Sequence, residues 1–177
     1  MRTEPNVIHR TEVRNQSSRH GTKPCLIIIH DTEGGNVKGT GDLRGVGAWF
    51  NNPVAQASAH VCTDGEGQSA RYVDDKNKAW HCAFFNAPAL GIEQIGFANQ
   101  RAWPKPQVEE TARWIALWHK RHGIPIRKGK VSRDGRVVRS GVLRHSELGN
   151  LGGGHHDPGD HFPMSDCLKI ARSIARR

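Results

Sequence analysis

The chain is short of several things that define whole classes of protein. No stretch of its 177 residues approaches the ~18 consecutive apolar side chains that a membrane-spanning helix needs. Its first residues, Met1-Arg2-Thr3-Glu4-Pro5-Asn6, lack the apolar core of a secretory signal, so the expectation is synthesis in the cytoplasm without a signal peptide. Cysteine is scarce: Cys25, Cys62, Cys82 and Cys167 show no CxxC spacing, which excludes a zinc-finger framework, and buried thiols are expected, with one disulfide as the alternative. Acid is scarce as well, with 17 Asp and Glu against 26 Lys and Arg, a formal net charge of +9. Between Lys120 and Arg144 nine cations meet only Asp134. The partner is therefore expected to be anionic. That segment lacks interleaved aromatic residues, so nucleic acid is disfavoured.

What is present describes a globular, loop-rich chain. Apolar residues make up 36% and glycine 20 of the positions, enough for a real core in one domain. Neither an internal repeat nor a linker is visible, so residues 1–177 are taken as a single unit. Cys25 to Ile29 is continuously apolar and β-branched, as in a central strand covered on both faces. Asp42 is placed to cap a short helix through Phe50, stopped by Asn51-Asn52-Pro53. Ser58 to Thr63 and Gln68 to Val73 read as a hairpin around Asp64-Gly65-Glu66-Gly67, and Leu90 to Ile95 as a further strand. Pro106 suits the first turn of a helix to about His122. Val108, Thr111, Ala112, Ile115 and Trp118 form its inward stripe, and Glu109, Glu110, Arg113 and Lys120 are expected to face water. Met164 to Arg176 predicts a second helix with Ser165 as its cap. Strands interleaved with helices predict an α/β fold, a single mixed β-sheet flanked by helices. Residues 126–140 read as a basic hairpin about Asp134-Gly135, either a solvated surface element or a flap that holds a polyanion.

Two apolar runs end in histidine. His30 follows Ile27-Ile28-Ile29, and His145 follows Val142-Leu143-Arg144. Twelve residues beyond His145, Asp157 sits in an Asp-Pro-Gly turn. Two imidazoles and a carboxylate at strand ends are suitable ligands for catalytic zinc, which takes three protein ligands and leaves a fourth position for water. A rival set, His60 and Cys62 with His81 and Cys82, is weaker, because adjacent His81 and Cys82 point to opposite faces of an extended chain. Glu93 lies inside an apolar strand, where a carboxylate costs free energy unless paired or facing a cleft. It reads either as an outward residue or as a general base with a raised pKa.

These pieces together resemble a known family. Ile27-Ile28-Ile29-His30, Ser58-Ala59-His60-Val61, Ala79-Trp80-His81, Leu90-Gly91-Ile92-Glu93 and His155-His156-Asp157-Pro158-Gly159 follow the order and rough spacing of the type 2 N-acetylmuramoyl-L-alanine amidases. This is the zinc amidase and peptidoglycan-recognition-protein fold. The likeness runs from about Lys23 to the C-terminus, leaves residues 1–22 as an N-terminal extension, and is nearest to a bacteriophage endolysin catalytic domain. It implies Zn2+ held by His30, His145 and Asp157, with Glu93 as the catalytic glutamate and His81 and His60 near the substrate. The family's frequent lysine two positions before the aspartate is His155 here, the other catalytic candidate. A neutral His155 donates a hydrogen bond but brings no cation. The implied reaction is hydrolysis of the amide joining N-acetylmuramic acid to L-alanine in bacterial peptidoglycan, with the enzyme reaching the wall after holin-type release or lysis. Anionic wall polymers are the expected partners of residues 120–144. Alternatives are a peptidoglycan-binding module without activity, or a zinc peptidase acting on stem peptides, although no HExxH is present.

Overall fold

The computed structural model describes residues 2–34 and 42–177. The apolar run after Cys25 becomes a strand buried along its whole length, and the architecture is built outward from it. In chain order the strands are β1 (Val7–Arg10), β2 (Gln16–Ser18), β3 (Leu26–Ile29), β4 (Val61–Thr63), β5 (Ser69–Arg71), β6 (Asn77–Ala79), β7 (Ala89–Gln94), β8 (Lys130–Val131), β9 (Val137–Arg139) and β10 (Gly141–Arg144). The α-helices among the described residues are α1 (Leu43–Asn51), α2 (Lys105–His122) and α3 (Met164–Ala175). Six strands form one mixed sheet in the order β1-β5-β4-β7-β3-β10. Within it β4 and β5 run antiparallel and the other neighbours parallel, as expected for an α/β fold with a flanked mixed sheet.

Side-chain alternation on β3 divides the core. Ile27 and Ile29 join Leu90, Ile92 and Val142 against α2 and α3, while Leu26 and Ile28 join Leu143, Phe85 and Leu148 on the opposite face. Farther along that second face, Leu43 and Phe50 of α1 cover Cys62, Ala70 and Tyr72. The predicted stripe of α2 is buried, and Pro106 lies in its first turn. Its outer face differs from the expectation: Glu110 and Arg113 are buried, not solvated. The N-terminal segment crosses over them. Glu110 Oε1 accepts from the Asn6 backbone N–H at 2.6 Å and the Ser69 hydroxyl at 2.7 Å, and Arg113 donates to the Arg2 carbonyl at 3.1 Å. The cap of α3 also differs. The helix starts at Met164, the Pro163 carbonyl accepts the first helical bond from Cys167 at 3.0 Å, and Ser165 lies inside the first turn.

The basic segment folds as the expected hairpin. β8 and β9 are antiparallel, and Gly135 takes the left-handed turn position at φ 87°. Val131 and Val137 pack inward against the Leu143 and Leu148 cluster, while Lys130, Arg133, Val138 and Arg139 are exposed. A Cβ at Gly135 would fall 2.7 Å from the Phe84 ring, so the tip sits directly on the short helix Ala83–Asn86. All four cysteines are free thiols, with Cys62, Cys82 and Cys167 buried. Among the described residues no helix is long and apolar enough to cross a membrane.

Candidate active site

The site follows from strand register. Ile29 of β3 pairs with Ile92 of β7 on one side and with Arg144 of β10 on the other. The next residue on each strand is therefore His30, Glu93 and His145, three neighbours in a row at the carboxyl ends of parallel strands. Ile29 and Ile92 face α2 and α3, so alternation sends His30 and Glu93 to the other face, where the cleft lies. Asp157 arrives from the following loop, anchored where its carbonyl accepts from the Ser146 backbone at 3.0 Å.

His30, His145 and Asp157 are all buried, and their potential ligand atoms lie within 4.8 Å of one another. His30 Nδ1 is 3.0 Å from His145 Nδ1 and 3.2 Å from Asp157 Oδ2, and His145 Nδ1 is 3.1 Å from Asp157 Oδ1. His145 Nε2 is 2.8 Å from the Gly152 carbonyl, which can only accept. The ring proton of neutral His145 is thus on Nε2, and its Nδ1 offers a lone pair to the centre of the trio. Atoms bound about 2.1 Å from one tetrahedral ion lie roughly 3.4 Å apart, close to the spacing here. Burial holds the His30 imidazole down to about 4, so it is neutral and able to ligate at neutral pH. Against the opposing effect of burial, the two imidazoles hold the Asp157 carboxyl well below the usual range. Two imidazoles and one carboxylate fit a divalent cation.

The trio opens into a cleft of about 480 Å³ that Glu93, Asp31, Trp80, His81 and His155 also line. Burial, reinforced by the nearby Asp157 and Asp31 carboxylates, pushes the Glu93 carboxyl well above its ordinary value. Its Oε2 has no hydrogen-bond partner among the described residues. Glu93 thus faces the cleft from a half-buried position, not outward into open solvent. The His155 ring is stacked on that of His145, with centroids 4.4 Å apart, and its Nδ1 is 3.7 Å from Asp157 Oδ1.

His81 lines the cleft, but His60 does not. The His60 ring is fully buried, its Nδ1 accepts from the Gly91 backbone N–H at 2.9 Å, and its Nε2 faces Arg19 and the Asn77 carbonyl. It lies outside the cleft lining, where the expectation had put it near the substrate, and its Nδ1 bond ties it to β7. The rival metal set does not assemble among the described residues, since Cys62 is buried under α1. Two contributors were not found in the sequence. Asp31, buried beside His30 with its carboxyl raised by burial to about 7, reads locally as an ordinary residue after a strand. The Gly152 carbonyl is main chain and leaves no residue signature.

With fold and site in view, the comparisons with known proteins are consistent. The profile described as N-acetylmuramoyl-L-alanine amidase matches residues 20–160. N-acetylmuramoyl-L-alanine amidase A of Achromobacter lyticus is 31% identical over 169 residues, covering 87% of this chain and 88% of that protein. Among solved structures, Staphylococcus aureus hydrolase AmiA in complex with its ligand superposes with a TM-score of 0.69 at 19% identity, covering 97% of this chain and 82% of that one. The endolysine amidase LysCS of Clostridium intestinale gives 0.67 at 16% identity, covering 96% and 97%. Such distant likenesses speak for the fold. The family match and the Achromobacter relative define an amide hydrolase, here built on a mixed sheet. The chain belongs to the N-acetylmuramoyl-L-alanine amidase family.

Proposed function

We propose that this enzyme is a zinc-dependent, lytic peptidoglycan amidase that cuts the bond between the lactyl group of N-acetylmuramic acid and L-alanine of the stem peptide. The observation that carries the reading is the convergence of His30 Nδ1, His145 Nδ1 and an Asp157 oxygen beside Glu93 in one cleft. These three side chains would hold the ion. Bound zinc supplies Lewis-acid chemistry, polarising the scissile carbonyl and making a water acidic enough to attack near neutral pH. Glu93 takes the proton from the attacking water and delivers it to the departing amine, a role suited to a carboxyl whose pKa is raised. His155, at the rim beside Asp157, donates a hydrogen bond to the oxyanion that forms on the carbonyl. The lytic assignment draws on the endolysin likeness, with release to the wall by lysis or a holin-type agent. The exposed cations of residues 126–140 provide retention on anionic wall polymers.

Digestion of purified peptidoglycan with and without a chelator tests this reading, with products read by mass. Free stem peptides and intact glycan strands are expected, and only without the chelator. Released disaccharides would indicate a glycosidase, and peptides cut within the stem a zinc peptidase. Binding to the wall with no cleavage would indicate a binding module, which the filled ligand positions argue against.

A further inference from the structure

His81 lies one shell away from the proposed zinc ligands and has a job there that sequence position alone did not disclose. Its Nδ1 is 2.9 Å from His30 Nε2. If His30 turns its Nδ1 lone pair to the ion, its proton is on Nε2 and needs an acceptor, which His81 Nδ1 supplies. The same logic then puts the His81 proton on Nε2, 3.7 Å from the Cys82 sulfur. His145 is oriented in the equivalent way by the Gly152 carbonyl, so each ligand imidazole has its outer nitrogen engaged.

The surroundings hold His81 in place for this. Its backbone N–H and that of Cys82 both donate to Asn86 Oδ1, at 2.8 and 2.7 Å. Its ring lies over Gly91, where a Cβ would come within 2.8 Å of it. Gly91 sits between Ile28 and His60 in the sheet region under the cleft, so the missing side chain provides the space that the imidazole fills.

We propose that His81 is a positioning residue, whose Nδ1 accepts the His30 Nε2–H bond and so fixes His30 with its Nδ1 toward His145 and Asp157. This deepens the function proposed above and rests on the reading that those three residues bind zinc. The substrate-contact role that the family resemblance implies for the same residue makes a different prediction. Leucine and asparagine have nearly the same shape, but only asparagine brings an acceptor oxygen near the position of Nδ1. His81→Leu is therefore expected to weaken zinc binding roughly 10–100-fold, as for other groups that orient a metal-bound histidine. His81→Asn is expected to restore most of it.

Zinc affinity is to be measured by competition with a chromophoric chelator. Equal affinity in wild type and His81→Leu, with a raised KM in the variant, would overturn the assignment of His81 and leave the zinc reading intact. Failure of the wild type to take up zinc would instead overturn the zinc reading itself. Imidazole nitrogen NMR of the zinc-loaded wild type gives a second test that needs no variant to fold. A His81 proton on Nε2, with Nδ1 left as acceptor, is expected, and a His81 proton on Nδ1 would overturn the proposal.

Discussion

Glu93 carries the sharpest expectations at the level of single residues. Glu93→Ala is expected to retain one zinc per chain and lose activity on peptidoglycan by about 10²–10⁴-fold, the range for a general acid–base group. A fully active variant would remove Glu93 from the mechanism. Because burial lifts its carboxyl above the ordinary 4.5, folded Glu93 binds its proton more tightly than the unfolded chain does. Its contribution to stability is fully present below the ordinary glutamate value and is lost as pH rises through the folded one. Glu93→Gln should therefore leave the melting temperature of chelated protein unchanged below about pH 4 and raise it near about pH 8. This residue was legible because an acid inside an apolar strand calls for an explanation. His30, His145 and Asp157 were legible because each ends a strand or fixes a turn. Arg19 was not. Its buried guanidinium bonds to the carbonyls of Asp75, Ala87 and Ala89, and main-chain acceptors leave no pattern in a sequence.

Among the elements, those dominated by local periodicity were readable: β3, β7, the β4–β5 hairpin, α2 and α3 all fall close to their expected limits. The short strands β1, β2 and β6 were not. Gln16-Ser17-Ser18 and Asn77-Lys78-Ala79 have no apolar alternation, and each strand exists because the other pairs with it across the molecule. The same long-range effect decided the outer face of α2, where a Glu-Glu-x-x-Arg pattern normally means solvent. There the Glu110 carboxylate is 3.1 Å from Arg113 and bonded to Asn6 and Ser69, which ties the helix to the N-terminal segment and to β5. Glu110→Ala leaves the Asn6 and Ser69 donors without their acceptor in a buried place, while Arg113 keeps Glu109 at 3.5 Å and the Arg2 carbonyl. It is expected to lower unfolding free energy by about 3 kcal/mol in denaturant titrations, from two unsatisfied buried donors. A loss below about 1 kcal/mol would mean that the interaction is no stronger than an exposed ion pair.

On the proposed function, the whole molecule responds to a bound ion as well as to its charge. Zinc at about 1,000 times its dissociation constant is expected to stabilise the fold by about 4 kcal/mol. For a chain of this size that raises the melting temperature on the order of 10 °C, and Asp157→Ala should show almost none of the rise in a calorimetric scan. Charge acts at longer range. Replacing Lys130, Arg133 and Arg139 by glutamate is expected to weaken retention on wall fragments and flatten its dependence on salt. Cleavage of a small soluble muropeptide should stay within about twofold, because none of these three side chains lines the cleft and exposed charges are screened over about 10 Å at 0.1 M salt. An enzyme that works on an insoluble mesh must grip it and still travel along it. In the hairpin, Val131 and Val137 provide the attachment to the body, and the side chains turned outward would provide the grip proposed above. On that proposal, residence time on the mesh and the speed of bond cleavage are set by different residues, and the first is free to change without disturbing the second.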